Sequence, residues 1–445
     1  MKLDTPRTLR VGFAFLSICA FWQLYDNVVP LVLKETFHMP DGPMGIIMAL
    51  DNILALFLLP FFGALSDKTS TRFGRRTPYI VGGTLAAVVL MNLLPIADAT
   101  RNFTLFIAAL ALLLLAMGTY RSPAVALMPD VTPKPLRSKG NAIINLMGAL
   151  GGVYTLAMTG LLVRKRADGG TDYALLFLAV AGLMVAAVVV LLLTVRENRL
   201  AAETASINEA YDAQVAQALP EYERQAEAQA TQKARAGLKS LSPEVRRSLL
   251  LILASVFFWF MGYNAVTTAF TKYVAVQWGY DIKAAAACLM VATVAAVLSY
   301  IPVGMLSARF GRKRMIQAGV ILLTASFAAF AMFRDFSPAL YGIFGLVGIA
   351  WATINVNSYP MVVEISKTGD VGQFTGYYYT FSMAAQIVTP ILSGYLMQYV
   401  GYQTLAPYAA LMVAISFVTI SLTRHGDAKP QTPASKLESF DVGDD

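Results

Sequence analysis

The chain has 445 residues, of which 57% are hydrophobic and only 14% are charged. Soluble domains carry about 25% charged residues, so this composition excludes an ordinary soluble protein and favours one embedded in lipid. The net charge of +8 would suit a nucleic-acid-binding protein, but the cations lie in short loops beside apolar runs, which argues against nucleic acid as a partner. Cys19 and Cys288 lie inside apolar runs, so we interpret them as packing residues rather than as a disulfide.

Apolar runs account for most of the chain. Residues 1–10 are basic and lead into a run too long for the core of a signal peptide, so we expect a retained transmembrane helix there. Runs of about 20 residues span a bilayer as a helix. Twelve such spans are predicted, near 11–33, 43–65, 79–97, 103–127, 140–163, 173–195, 249–275, 283–306, 315–333, 338–359, 373–398 and 402–422. The predicted fold class is an all-α membrane protein.

The polar parts of the sequence divide the spans into two groups. Residues 196–247 are rich in Ala, Gln and Glu, which predicts a solvated helical linker; a regulatory docking site is the alternative interpretation. The domains predicted around it are an N-terminal half over 1–195 and a C-terminal half over 248–423. The polar tail, 424–445, is predicted to be disordered.

The distribution of Lys and Arg predicts how the chain lies in the membrane. One side of the predicted topology collects fifteen of these residues in its short loops, and the other side collects eight. The positive-inside rule therefore predicts that both termini are cytoplasmic, in a multi-pass protein of the plasma membrane. The cluster Arg164, Lys165 and Arg166 goes against this trend.

One charged loop occurs twice. The motif loop, residues 63–80, joins the second and third spans and contains four cations and one carboxylate between Asp67 and Arg76. A shorter copy covers residues 304–314, and both copies contain Gly-x-Leu-Ser followed by Arg-Phe-Gly-Arg, 237 residues apart. A repeat in the same sense predicts two similar six-helix halves, the plan of the major facilitator superfamily. The same offset relates Pro123 to Pro360 and Asn27 to Asn264.

The motif loop resembles the loop between helices two and three in the sucrose-transporter branch of the glycoside–pentoside–hexuronide:cation symporters. The matching residues are Gly63, Ser66, Asp67, Lys68, Arg72, Gly74, Arg75, Arg76, Pro78 and Tyr79. The resemblance implies the major facilitator fold and proton-coupled uptake of a glycoside such as sucrose or maltose. No cofactor is implied beyond the proton as co-substrate.

The sequence departs from this family at several functional positions. Where plant sucrose carriers have an aspartate in span four and an arginine before the following loop, this chain has Leu114 and Val125, with Arg121 one turn earlier. The two cation-binding carboxylates of melibiose carriers correspond to Ala55 and Leu59. Sodium coupling is therefore less expected than proton coupling, and other residues must perform the coupling.

Three charged residues inside predicted spans are candidates for proton coupling, because a charge within a bilayer is costly without a function. Asp26 shares a helix face with Trp22, and a carboxylate beside an indole suits a sugar; alternatively, Asp26 meets water at the end of its span. Asp51, next to Asn52, could hold and release a proton near neutral pH or make a structural hydrogen bond. Arg121 could pair with a carboxylate in the cavity, join Asp130 in a cytoplasmic network, or extend to the interface.

Neutral polar and aromatic residues at helical spacing are candidates for contact with a sugar. Such side chains suit an uncharged, hydroxyl-rich ligand, although each one alone could equally bond neighbouring helices. With Trp22 and Asp26, the predicted substrate-binding residues are Asn145, Asn264, Trp351, Asn355, Tyr379 and Gln386.

The charged residues of the loops predict a cytoplasmic gate. We expect Asp67 to pair with Arg72 and Arg75, and Asp130 with Arg137, in one state of an alternating-access cycle. The remaining predicted gate residues are Gly63, Gly74, Arg76, Arg309, Gly311, Arg312 and Glu364.

The sequence thus predicts a monomeric secondary transporter that imports a sugar by proton symport. Two alternatives stay open: transport or export of another small solute, and a non-transporting membrane sensor of sugars. The glycine runs of the chain lie inside a predicted span, so they indicate close packing of helices rather than a phosphate-binding loop. The sequence contains no metal-binding or nucleophile motif that would indicate an enzyme.

Overall fold

The computed structural model describes residues 3–166, 170–218, 241–365 and 371–426. Within these ranges the chain forms thirteen α-helices and one two-stranded hairpin. The helices are α1 (Thr5–Glu35), α2 (Asp41–Lys68), α3 (Thr77–Ala99), α4 (Phe103–Val131), α5 (Arg137–Leu162), α6 (Ala174–Thr194), α7 (Glu197–Ala218), α8 (Pro243–Gln277), α9 (Ile282–Phe310), α10 (Arg312–Phe330), α11 (Ala339–Val363), α12 (Val371–Tyr399) and α13 (Leu405–Ser421). The strands are β1 (Arg164–Lys165) and β2 (Thr171–Asp172).

Each of the twelve predicted spans corresponds to one of these helices. In the described residues, eleven helices are long and apolar enough to cross a membrane. The predicted span 373–398 forms α12, which is not among the eleven because its tyrosines and glutamines lower its mean hydropathy. The prediction of an all-α membrane fold is confirmed, and the hairpin is an element that the sequence did not predict.

Two apolar cores correspond to the two predicted halves. Helices α1–α6 surround one core, which includes Phe21 and Tyr120, and helices α8–α13 surround the other, which includes Trp259 and Phe270. The halves meet where α2 contacts α12, α5 contacts α9 and α1 contacts α8. The α2–α12 contact is close because it uses glycine: a Cβ on Gly45 would lie 2.0 Å from a backbone oxygen of α12.

The sequence repeat has a structural counterpart in the backbone. Gly74 of the motif loop has φ 126°, and Gly311 of the second copy has φ 88°. Both glycines lie just before a helix, α3 in one half and α10 in the other. Positive φ is accessible to glycine at little cost, so each copy has its glycine at a position where the backbone requires positive φ.

The predicted linker is more closely attached to the N-terminal half than its composition indicated. Helix α7 is not simply solvated, because Glu197 and Thr204 are each only 2% exposed. The Lys134 ammonium lies 2.6 Å from the Asp212 carboxylate, which ties α7 to the chain before α5. Residues 219–240 of the linker lie outside the described residues.

The predicted tail is only partly described. Arg424 and His425 contact α8: the Arg424 amide donates to the Ser248 hydroxyl at 3.3 Å, and the His425 ring lies 3.0 Å from the same hydroxyl. Arg424 and His425 thus contact the end of the bundle, and the disorder of the tail stays a prediction. Residues 427–445 lie outside the described residues, and so do Asp168 and Lys367.

Candidate functional site

A cavity of about 290 Å³ lies between the two halves. Helices α1, α2 and α4 of the N-terminal half line it together with α8 and α12 of the C-terminal half. This position is the one that transporters with two repeated halves use for their substrate. The predicted residues that the structure brings together there are Trp22, Asp26, Asp51, Arg121, Asn264 and Gln386.

The three predicted coupling residues all line this cavity, and within the ranges that the structure describes Arg121 makes none of the three contacts that the sequence left open for it. Its guanidinium lies over the Trp22 ring, 5.4 Å from the ring centre, a cation–π arrangement. Among the described residues, neither Asp26 nor Asp51 forms a salt bridge with Arg121. Asp51 accepts two hydrogen bonds from the Asn52 amide, at 2.9 and 3.0 Å. The cavity therefore holds two carboxylates whose charge is not neutralised by direct contact with a cation.

Four predicted substrate residues do not line this cavity. Trp351 stacks on Tyr263 with a separation of 3.7 Å between ring centres, and it meets Phe260 edge to face at 5.1 Å. It therefore belongs to the apolar core of the C-terminal half. The other three are Asn145, Asn355 and Tyr379, and the structure does not place them with Asp26.

An ion cluster at one end of the bundle joins the two halves and was missed in the sequence. The Asp41 carboxylate at the start of α2 lies 2.7 Å from the Lys34 ammonium of α1 and 2.7 Å from the Lys272 ammonium of α8. The Tyr402 hydroxyl donates to the same carboxylate at 2.7 Å. Asp41 and Lys272 are 2% and 4% exposed, and both also line the cavity.

These residues lie near the ends of predicted spans, so the sequence indicated only separate residues of loops there and not a cluster. We call the four residues the Asp41 cluster. Lys34 and Asp41 belong to the N-terminal half, whereas Lys272 and Tyr402 belong to the C-terminal half. The cluster therefore closes this end of the bundle, next to a hydrogen bond of 2.5 Å from Thr271 to Asn27 across the same interface.

The motif loop lies at the other end, which we call the basic end, and its ion pairs differ from those predicted. Asp67 pairs with Arg76 rather than with Arg72 or Arg75. Asp130 pairs with Arg75 at 2.6 Å and with Arg76 at 2.8 Å. All of these residues belong to the N-terminal half, so these pairs hold α2, α3 and α4 together.

Three other predicted gate residues make contacts of their own near the motif loop. Arg137, expected to pair with Asp130, instead donates to the Pro129 carbonyl oxygen at 3.0 Å. The Arg72 guanidinium lies 4.6 Å from the centre of the Phe73 ring. The Gly63 carbonyl oxygen accepts a hydrogen bond of 3.3 Å from Arg76.

Glu197 of α7 fixes the end of the motif loop. Its carboxylate accepts hydrogen bonds from the backbone amides of Arg75, Arg76 and Thr77 at 2.8 to 2.9 Å. These amides lie at the N-terminus of α3, where a negative charge is favoured. Burial would lower the pKa of Arg76, but the hydrogen bond and charge of Asp130, with those of Asp67, raise it above its ordinary value. Arg76 therefore stays charged.

The second copy of the motif repeats one of these pairs. Arg312 lies 2.6 Å from Glu364, as Arg75 lies 2.6 Å from Asp130. In both halves the arginine follows the positive-φ glycine, and the carboxylate lies at the end of the helix after the next one. Arg309, which corresponds to Arg72, likewise lies over the phenylalanine that follows it, 5.4 Å from the ring centre.

The fold and the cavity between its halves define a multi-pass membrane transporter. The family model described as Major Facilitator Superfamily matches residues 11–299 and 273–441 of the chain. The chain belongs to this superfamily, whose members are membrane transporters rather than enzymes.

The chain is similar to curated sugar transporters over part of its length. It is 28% identical over 146 residues to the human protein named proton-associated sugar transporter A, a match that covers 30% of this chain and 19% of that protein. It is 31% identical over 120 residues to the Arabidopsis thaliana sucrose transport protein SUC3, covering 23% of this chain and 20% of that protein. Each match thus spans about a fifth of the relative's length.

Solved structures with the same fold match nearly the whole chain. The nucleoside transporter NupG aligns with a TM-score of 0.68 at 14% identity, covering 94% of this chain and 100% of that one. A bacterial homologue of the human drug peptide transporters PepT1 and PepT2 aligns with a TM-score of 0.65 at 12% identity, covering 95% of this chain and 97% of that one. These two structures show the fold and leave the substrate open.

Proposed function

We propose that this protein imports a sugar together with a proton by alternating access, as a monomer in the plasma membrane with the basic end in the cytoplasm. The observation that carries the proposal is the arrangement of Trp22, Asp26, Asp51 and Arg121 around one cavity between the halves. The partial similarity to proteins named as sugar transporters supports the substrate class.

The lining of the cavity suits a sugar. Trp22 lines it with an aromatic ring that Arg121 covers on one face, and the amides of Asn264 and Gln386 offer neutral donors and acceptors for hydroxyl groups. The volume of about 290 Å³ is near the lower end of small-molecule sites, about 300 to 1,000 Å³. Within the sugars, we propose a glycoside such as sucrose or maltose as the substrate.

The charges of the cavity suit proton coupling. Asp26 and Asp51 lie in a membrane-embedded cavity, where a carboxylate without a direct cationic partner is costly. A proton on either group removes that cost, and so does the approach of Arg121. We propose that protonation from one side and release to the other link the proton to the rocking of the halves.

Uptake into proteoliposomes under an inward proton gradient tests this proposal. The wild-type protein should accumulate at least one sugar of a glycoside panel and alkalinise the outside medium. Asp51→Asn should abolish accumulation but keep sugar exchange, because only the coupling group is lost. Asp335→Asn, at an exposed loop position, is the matched control and should behave as wild type.

Three outcomes would contradict parts of the proposal. Undiminished accumulation by Asp51→Asn would remove Asp51 as the coupling group. Sugar binding without uptake would favour a sensor. Uptake driven equally well by a sodium gradient without proton movement would remove proton coupling.

A further inference from the structure

The cluster Arg164, Lys165 and Arg166 contradicts the positive-inside trend, and the structure shows what surrounds it. These residues line a cleft of about 920 Å³ at the end of the bundle that the Asp41 cluster closes. The cleft lies between the halves, with α1 and the β1–β2 hairpin on one side and the connection from α8 to α9 on the other. It is separate from the central cavity, since the two share no lining residue.

Positive charge predominates in this cleft. Among the described residues, its lining includes six Lys and Arg residues and one histidine, against two carboxylates. The basic residues are Lys34, His38, Arg101, Arg164, Lys165, Arg166 and Lys283, and the acidic ones are Glu35 and Asp281.

Part of this charge is already used in pairs within the protein. Lys34 pairs with Asp41, and Arg166 pairs with the buried Asp98 at 2.5 Å. Asp281 is engaged with the backbone, since its carboxylate accepts a hydrogen bond of 2.9 Å from the Lys283 amide. In the described part of the chain, Arg164, Lys165 and Lys283 form no salt bridge, and they lie on both walls of the cleft.

The backbone of the cleft is unusual at two positions. His38 has φ 50° and Arg101 has φ 51°, and these are the only non-glycine residues with positive φ in the described ranges. Both line the cleft. For a residue other than glycine, a positive φ costs free energy, and residues in this conformation concentrate at functional sites.

We infer that this cleft binds an anion that carries a phosphate group, contacted by cations from both halves. Guanidinium and ammonium groups on opposite walls suit the several oxygens of a phosphate, and they repel one another when the cleft is empty. Because the walls belong to different halves, the bound anion would stabilise the state in which this end is closed. The phosphate could come from the solution or from a lipid headgroup, because the cleft lies at the end of membrane-spanning helices.

Binding to the full-length protein in an uncharged detergent tests this inference. Isothermal titration calorimetry would use three probes: inorganic phosphate, a short-chain phosphatidylglycerol and a short-chain phosphatidylcholine. Phosphatidylcholine has no net charge and should bind at least about tenfold more weakly than the best anionic probe. Binding of both anionic probes would indicate free phosphate as a source, and binding of phosphatidylglycerol alone would indicate a lipid headgroup.

Single variants on each wall locate the site. Arg164→Gln on the hairpin and Lys283→Gln on α9 should each weaken the binding of the anionic probe about tenfold, because each removes one charge-assisted contact. Lys68→Gln, at an exposed lysine of the basic end, is the matched control and should leave the binding of the anionic probe unchanged.

The inference is overturned if neither anionic probe binds, or if the Lys68→Gln control loses affinity as much as the cleft variants do. A loss in Arg164→Gln with no loss in Lys283→Gln would overturn the bridging of the two halves. All of these measurements use binding alone, so they do not depend on the transported substrate.

Discussion

The two ends of the bundle use charge in different ways. At the closed end, one buried carboxylate, Asp41, is shared by cations from both halves. At the basic end, the pairs Arg75–Asp130 and Arg312–Glu364 each join helices of a single half. Alternating access requires contacts between the halves that exist in one state and break in the other. We therefore expect the contact that changes between states to be the Asp41 cluster, whereas the pairs of the motif loops hold each half together.

The largest expected effect is at the closed end. Asp41→Asn leaves Lys34 and the buried Lys272 without their shared counter-ion, so we expect the free energy of unfolding to fall by about 3–5 kcal/mol. Denaturant unfolding in detergent measures this loss. Asp281→Asn, an exposed carboxylate near the same end, should cost less than about 1 kcal/mol, because asparagine also caps a helix.

A second substitution sharpens this prediction. Adding Lys272→Met to Asp41→Asn removes the stranded ammonium and should restore part of the stability. If Asp41→Asn costs no more than Asp281→Asn, the cluster does not hold the halves together and the contrast between the ends is lost.

An intermediate effect is expected at the turn of the motif loop. Gly74→Ala would place a Cβ 2.0 Å from the Glu197 carboxylate, at a backbone φ of 126°. We expect a loss of about 1–3 kcal/mol in the same unfolding experiment, since alanine is strained there and Glu197 must move. Gly82→Ala is the matched control: it lies within α3 with no atom near the added Cβ, so it should be neutral or stabilise by up to about 1 kcal/mol. A neutral Gly74→Ala would contradict the role of this turn.

The smallest effects are expected for the ion pairs of the basic end. Asp130→Asn weakens two pairs with half-buried or buried arginines, so we expect a loss of about 1–2 kcal/mol, below that of Asp41→Asn. Lys134→Gln breaks the exposed pair with Asp212 and should cost less than about 1 kcal/mol. If Lys134→Gln lowered the free energy of unfolding more than Asp130→Asn does, the exposure of an ion pair would not govern its contribution to stability.

Part of the candidate site could be predicted from the sequence, because the pattern that marks these residues lies within a single helix. Trp22 and Asp26 are four residues apart, and a charge within an apolar run is conspicuous, so Asp26, Asp51 and Arg121 were found from the sequence. The neutral candidates were harder to predict. Asn264 lines the cavity, whereas Trp351 stacks on Tyr263 within the C-terminal half. The spacing of polar and aromatic residues along one helix does not determine which neighbouring helix each side chain contacts.

The sequence by itself determined the helical membrane fold with its two halves and the repeat of the motif loop, because hydrophobic length and short motifs are local properties. The tertiary structure alone decided the Asp41 cluster, the capping of α3 by Glu197 and the basic cleft. Their members lie far apart in the chain: Asp41 and Lys272 are separated by 231 residues, and Arg75 and Glu197 by 122. Electrostatic pairing depends on distance in space, and only the packing of the two halves sets that distance.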